Sequence, residues 1–128
     1  MTPSVPISWG ELVDKITILE IKSELLSSVS ARENAKNELG RLVAIWEPVE
    51  RDNRNALGLK TALKHTNKTL WQIEDDIREK EAQKCFDDDF IALARAVYKT
   101  NDERARIKRQ INILLKSEIV EEKQYSAY

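Results

Sequence analysis

Ser8-Trp9-Gly10-Glu11 and Ser30-Ala31-Arg32-Glu33 decide the fold. Each places a hydroxyl that can cap a helix three residues ahead of a glutamate that can bond back, the spacing of a capping box. Helix 1 is therefore predicted over 9–27 and helix 2 from 31, with a tight link through Ser27, Ser28 and Val29. Two such starts around a short link read as a helical hairpin. Helix 2 carries Ala35, Leu39, Leu42, Trp46 and Val49 in one stripe and is predicted over 31–54. Pro48 lies inside it, so a kink or a break is expected near Glu47. The polar run Arg51-Asp52-Asn53-Arg54-Asn55 either prolongs a solvated helix or forms the next turn.

Helix 3 is predicted over 57–84, from Leu59, Leu63, Leu70, Ile73 and Ile77, with Thr66 at the missing step. Asp87-Asp88-Asp89 supplies the cap and first-turn acids of helix 4, predicted over 88–116. The remaining residues either continue that helix or fold back. The expectation is an all-α, antiparallel bundle of about four helices forming one domain over 1–128.

Composition agrees with long helices: 41% of the 128 residues are hydrophobic, 34% are charged, and only three glycines and three prolines are available for turns. The 21 basic and 22 acidic residues give a net charge of −1, without the positive field of a nucleic-acid binder. No apolar run suits a membrane span, and the first residues do not resemble a secretion signal. The single cysteine, Cys85, allows no internal disulfide, so a reducing, cytoplasmic setting is expected. One histidine and one cysteine argue against a zinc site within the chain. No cofactor is implied, and any metal would be a hard ion held by carboxylates.

Charged groups within apolar faces are the informative positions, because burying an unpaired charge costs several kcal/mol. On a helical wheel Phe90, Leu93, Val97, Ile107, Ile111 and Leu115 share one arc. Arg104 falls near its middle, with Asn101 and Lys108 in or beside it and Asn112 a little further round. Helix 1 places Trp9, Leu12, Val13, Ile16, Leu19 and Leu26 on one face, with Glu20 inside it. A second patch, Ile18, Ile21 and Leu25, lies opposite, beside Asp14. With two faces to bury, helix 1 is either central or part of a subunit interface, and a homodimer is expected. On helix 3, Glu74 and Arg78 have the i, i+4 spacing of a surface pair.

Packing alone accounts for one buried pair, Glu20 with Arg104, with Lys108 reaching the edge of the core. The number of polar groups on core faces also suits a functional site. His65 reads as solvated, Cys85 as a packed thiol, and Trp9, Trp46 and Trp71 as core anchors.

The blocks Val5 to Glu11, Asp14 to Lys22, Leu70 to Arg78, Ala96 to Arg104 and Ile119 to Lys123 together resemble a bacterial family of small helical proteins of unknown function. Trp9 stands where tyrosine is common in that family, and Gln72 where aspartate is expected. The resemblance implies no activity. It draws Glu11, Asp14, Lys15, Glu20, Glu74, Arg78, Asn101, Arg104 and Lys108 into shared blocks, and implies that the C-terminal tail is ordered.

Three functional readings follow. An anionic small molecule would be held by Lys15, Arg78, Arg104 and Lys108, with Glu20 or Glu74 orienting these cations or acting as acid or base, and Asn101 beside them. A magnesium-dependent enzyme acting on nucleotides would use Glu11-x-x-Asp14 and Glu118-x-x-Glu121. A non-enzymatic interaction module would bury the second face of helix 1 against another copy. No residue is assigned a catalytic role.

Overall fold

The computed structural model describes residues 1–128 as four helices and no strand: α1 (Trp9–Leu25), α2 (Val29–Asp52), α3 (Arg54–Ala82) and α4 (Asp88–Leu114). The expected all-α bundle of four helices is what forms. No helix is long and apolar enough to cross a membrane.

The first turn of α1 shows how the chain is closed. A helix start leaves its first N–H groups without intrahelical partners, and here those of Trp9, Gly10 and Glu11 each find one. The Glu11 N–H donates to Ser8 Oγ at 3.0 Å, the Gly10 N–H to Asn112 Oδ1 at 2.7 Å, and the Trp9 N–H to Ser117 Oγ at 3.3 Å. Ser8 Oγ in turn donates to Glu121 Oε1. Half of the expected capping box is therefore present. Its other half is not, because the Glu11 carboxylate turns to Lys108 at 2.8 Å.

α1 is the central helix, packing against α2, α3 and α4. Leu12, Val13 and Ile16 of α1 join Trp46 of α2, Ala56 and Leu63 of α3, and Ile107 and Ile111 of α4 in one apolar core. Trp9 packs beside Trp46, with ring centroids 6.3 Å apart. Of the second face of helix 1, Ile21 is buried within the chain, whereas Leu25 remains 49% exposed.

The helix limits differ from expectation for identifiable reasons. α1 stops at Leu25 rather than 27. α2 begins at Val29 under the Ser28 hydroxyl rather than Ser30, which lets the Arg32 guanidinium reach back to the carbonyls of Leu26 and Ser27 at 2.6 and 3.0 Å. Pro48 does not end α2: Trp46 and Val49 hold the segment against the core, and the helix runs on to Asp52. The turn comes at Asn53, extended at φ −144°, whose Oδ1 accepts from the N–H groups of Asn55 and Ala56 and caps α3. α3 therefore starts at Arg54, ahead of the expected 57. α3 and α4 each end two residues early because Lys84 and Lys116 adopt left-handed backbone, at φ 55° and 53°. The following N–H groups then close on carbonyls five residues back, Cys85 on Lys80 and Ser117 on Asn112. No glycine marks either stop.

Residues 117–128 form neither helix nor strand and fold back along α4. Besides the Ser8–Glu121 bond, Glu122 pairs with Arg109 at 3.8 Å and Lys123 with Asp102 at 2.7 Å. The Tyr128 ring meets Tyr98 edge-on at 5.1 Å.

Candidate functional site

Asp14 is the centre of the polar cluster. Its side chain is 2% exposed, enclosed between α3 and α4. Oδ1 accepts from Arg104 Nε at 2.9 Å and Asn67 Nδ2 at 3.0 Å, and Oδ2 accepts from Arg104 Nη2. Lys108 Nζ stands 3.6 Å from Oδ2 and 2.8 Å from the Glu11 carboxylate. Thr17 Oγ1 accepts from Asn67 Nδ2 at 2.9 Å and donates to the Asp14 carbonyl, so the Asn67 amide nitrogen is shared between Asp14 and Thr17. Two acids thus face two bases, joined by forked, charge-assisted hydrogen bonds.

Burial pushes the Asp14 carboxyl up. The bonds from Arg104 and Asn67, with the charges of Arg104 and Lys108, outweigh it and hold the group below its ordinary 3.8. A folded-state value below the unfolded one adds stability that is present above the ordinary carboxylate range and lost as pH falls through the folded value. The gap in unfolding free energy between the wild type and Asp14→Asn is therefore expected to narrow as pH drops from 7 to about 2. Urea titrations at each pH measure it, and a gap independent of pH would contradict this origin.

The expected Glu20–Arg104 pair does not form. α1 and α4 run antiparallel, with Gly10 beside Asn112, Glu11 beside Lys108 and Asp14 beside Arg104. Glu20 lies six residues beyond Asp14, about 9 Å further along the axis. It pairs instead with Lys60 at 3.7 Å and Lys64 at 3.6 Å on α3. Lys15 is exposed and joins neither cleft described below. Thr17 and Asn67 are absent from the residues singled out in the sequence, and Asp14 is there a magnesium ligand rather than the partner of Arg104. The available signal was a carboxylate beside the second apolar patch of a helix with two faces to bury.

The other candidates divide between two clefts that share Arg104. The larger, about 1070 Å³, lies between α4 and the C-terminal tail. Asn101, Arg104 and Lys108 line it from α4, and Lys123, Tyr125 and Tyr128 from the tail. The Arg104 fork is engaged by Asp14 through Nε and Nη2, and its Nη1 has only Asn101 at 3.4 Å. Lys123 bonds Asp102 and lies 5.2 Å from the centre of the Tyr125 ring. The bond from Lys123, with a second from the Tyr128 hydroxyl, holds Asp102 below its usual value, and Asp102 raises Tyr128 above its own. The smaller cleft, about 310 Å³, has Ile18, Ile21, Leu70 and Trp71 as apolar wall and Glu74, Arg78 and Arg104 as polar rim. Arg78 donates to Glu74 at 3.2 Å, the expected surface pair. Trp71 is thus a cleft wall, while Trp46 is a core anchor.

Three of the four carboxylates proposed for magnesium are engaged elsewhere: Glu11 with Lys108, Asp14 with Arg104, and Glu121 with Ser8. No three acidic, histidine or cysteine side chains converge as a metal-holding group.

Comparison with known proteins places residues 3–128 within the model of one family, described as a family of unknown function (DUF6165). No curated protein matches the chain significantly. No solved structure does either.

Proposed function

Because the chain belongs to that family, whose description carries no activity, function is argued from geometry, and we propose that the protein is a binding module for a small anionic molecule. The α4–tail cleft is the binding site. The observation that carries this reading is the convergence of Arg104, Lys108 and Lys123 with Tyr98, Tyr125 and Tyr128 around a space of ligand size. Arg104 Nη1 and the lysines supply donors for phosphate or carboxylate oxygens, and the rings supply apolar contact for the body of the molecule. Arg104 is held in place by Asp14, so its orientation is set before any ligand arrives.

Three groups of the cleft, Asp102, Arg104 and Tyr128, shift in directions that suit binding better than acid–base catalysis. Asp102 moves down, while Arg104 and Tyr128 move up, all away from the neutral range where proton transfer is efficient.

The test is a thermal-shift panel of nucleoside monophosphates, sugar phosphates and dicarboxylates, followed by calorimetry on Lys123→Gln. A ligand at 100 times its Kd adds ~2.7 kcal/mol, which raises Tm by about 10 °C in a chain of this length. Lys123 lies on the tail, outside the core, so its replacement is expected to weaken affinity about tenfold or more while leaving the fold intact. A panel without any shift, or an unchanged Kd in Lys123→Gln, sinks the reading.

A further inference from the structure

Between Asn67 and Ile107, over residues 68–106, no side chain is fully buried. This stretch holds the distal part of α3, the connecting turn and most of α4, helices of 29 and 27 residues against 17 in α1. It is a two-helix arm whose core is only half closed. At its far end Phe86 and Ile91 are 55% and 54% exposed, and Phe86 sits edge-on to Phe90 at 5.1 Å. Ala92 lies next to Ile91 on the same exposed face.

Charge indicates what covers this face. Lys80 takes Asp87 at 2.9 Å and Asp89 at 4.0 Å. Asp88, Arg95 and Lys99 are exposed and make no ion pair within the chain. Asp88, Ile91, Ala92, Arg95 and Lys99 recur at steps of three and four, so they form one stripe along α4. That stripe starts acidic, becomes apolar and ends basic. Asp88 and Arg95 are seven residues apart, about two turns, with Ile91 and Ala92 midway. Such a stripe is complementary to itself when two copies run antiparallel.

We propose that a second copy of this chain covers the arm, α4 against α4 about a two-fold axis near Ile91 and Ala92. Each Asp88 then meets the partner's Arg95, and Ile91 packs against the partner's Ala92. The interface is isologous, as a two-fold requires. Ala92 lets the two backbones approach, and Ile91 is covered at the centre, where truncation costs most.

The test is sedimentation equilibrium at about 100 µM, well above a µM Kd. The wild type is expected at twice 14.8 kDa. Ile91→Asp is expected to give the monomer with unchanged helix content by circular dichroism, since Ile91 carries no core contact. Asp88→Arg and Arg95→Asp are each expected to raise the dimer Kd tenfold or more, and the double swap D88R/R95D to restore it. A monomeric wild type overturns the proposal. So does a dimer indifferent to Ile91→Asp, or a double swap no tighter than the single ones. All three positions lie outside the α4–tail cleft, so ligand binding and association are tested separately.

Discussion

Asp14→Ala is expected to lower Tm by roughly 10–20 °C, corresponding to a loss of about 3–5 kcal/mol. The magnitude follows from what the substitution leaves behind. Asp14 is enclosed, and its two oxygens take both arms of the Arg104 fork and the amide of Asn67, with the Lys108 ammonium close by. Removing the carboxylate strands a partly enclosed guanidinium and unpairs an amide that is itself buried. The cycle of Asp14→Ala, Arg104→Met and the double variant isolates the pair. The double variant is expected to be more stable than the sum of the single losses implies, by about 1–3 kcal/mol, because the stranded charge is then gone. Unfolding by urea gives all four values. Strict additivity would mean that Asp14 and Arg104 act through separate neighbours.

Gly10→Ala is expected to destabilise by about 1–3 kcal/mol, although alanine is the better helix former. A Cβ at position 10 would stand 2.5 Å from the Lys108 carbonyl oxygen and 2.9 Å from Asn112 Oδ1. The first of these is backbone, so α1 and α4 must move apart. That movement lengthens the Gly10–Asn112 bond and pulls at the Glu11–Lys108 and Asp14–Arg104 pairs along the same seam. A variant as stable as the wild type, or more so, would show that the two helices do not need this close approach.

The two substitutions mark what the chain reveals by inspection and what it does not. Helices were legible because their signals are local: the Ser8 cap, the Trp46 stripe and the acids at Asp87 to Asp89 act within one turn or one face. Their ends were less so, since Lys84 and Lys116 take a conformation usually marked by glycine. The cluster was legible in part. Arg104 sits in an apolar arc and needs a partner, and that much periodicity shows. Which acid it meets depends on the axial offset between α1 and α4, set by the close approach at Gly10. Nothing in either helix alone encodes that offset. Periodicity gave Glu20 as the partner on an inward-facing position, and the offset selects Asp14. The α4–tail cleft was hidden for a different reason: residues 117–128 have no period, and their course depends on single contacts such as Ser8–Glu121.

That last bond links residues 113 positions apart, and the other N–H groups of the same turn wait on Asn112 and Ser117. A ribosome releases α1 and its Ser8 cap well before the partners at Asn112, Ser117 and Glu121. At ~5–20 residues per second, a newly made α1 spends several seconds with its opening turn unfinished and its apolar faces uncovered. The stretch from Asn112 to Glu121 therefore acts as a completion signal: before it emerges, the first helix has only its Ser8 cap, and afterwards its opening turn is fastened to the far end of α4.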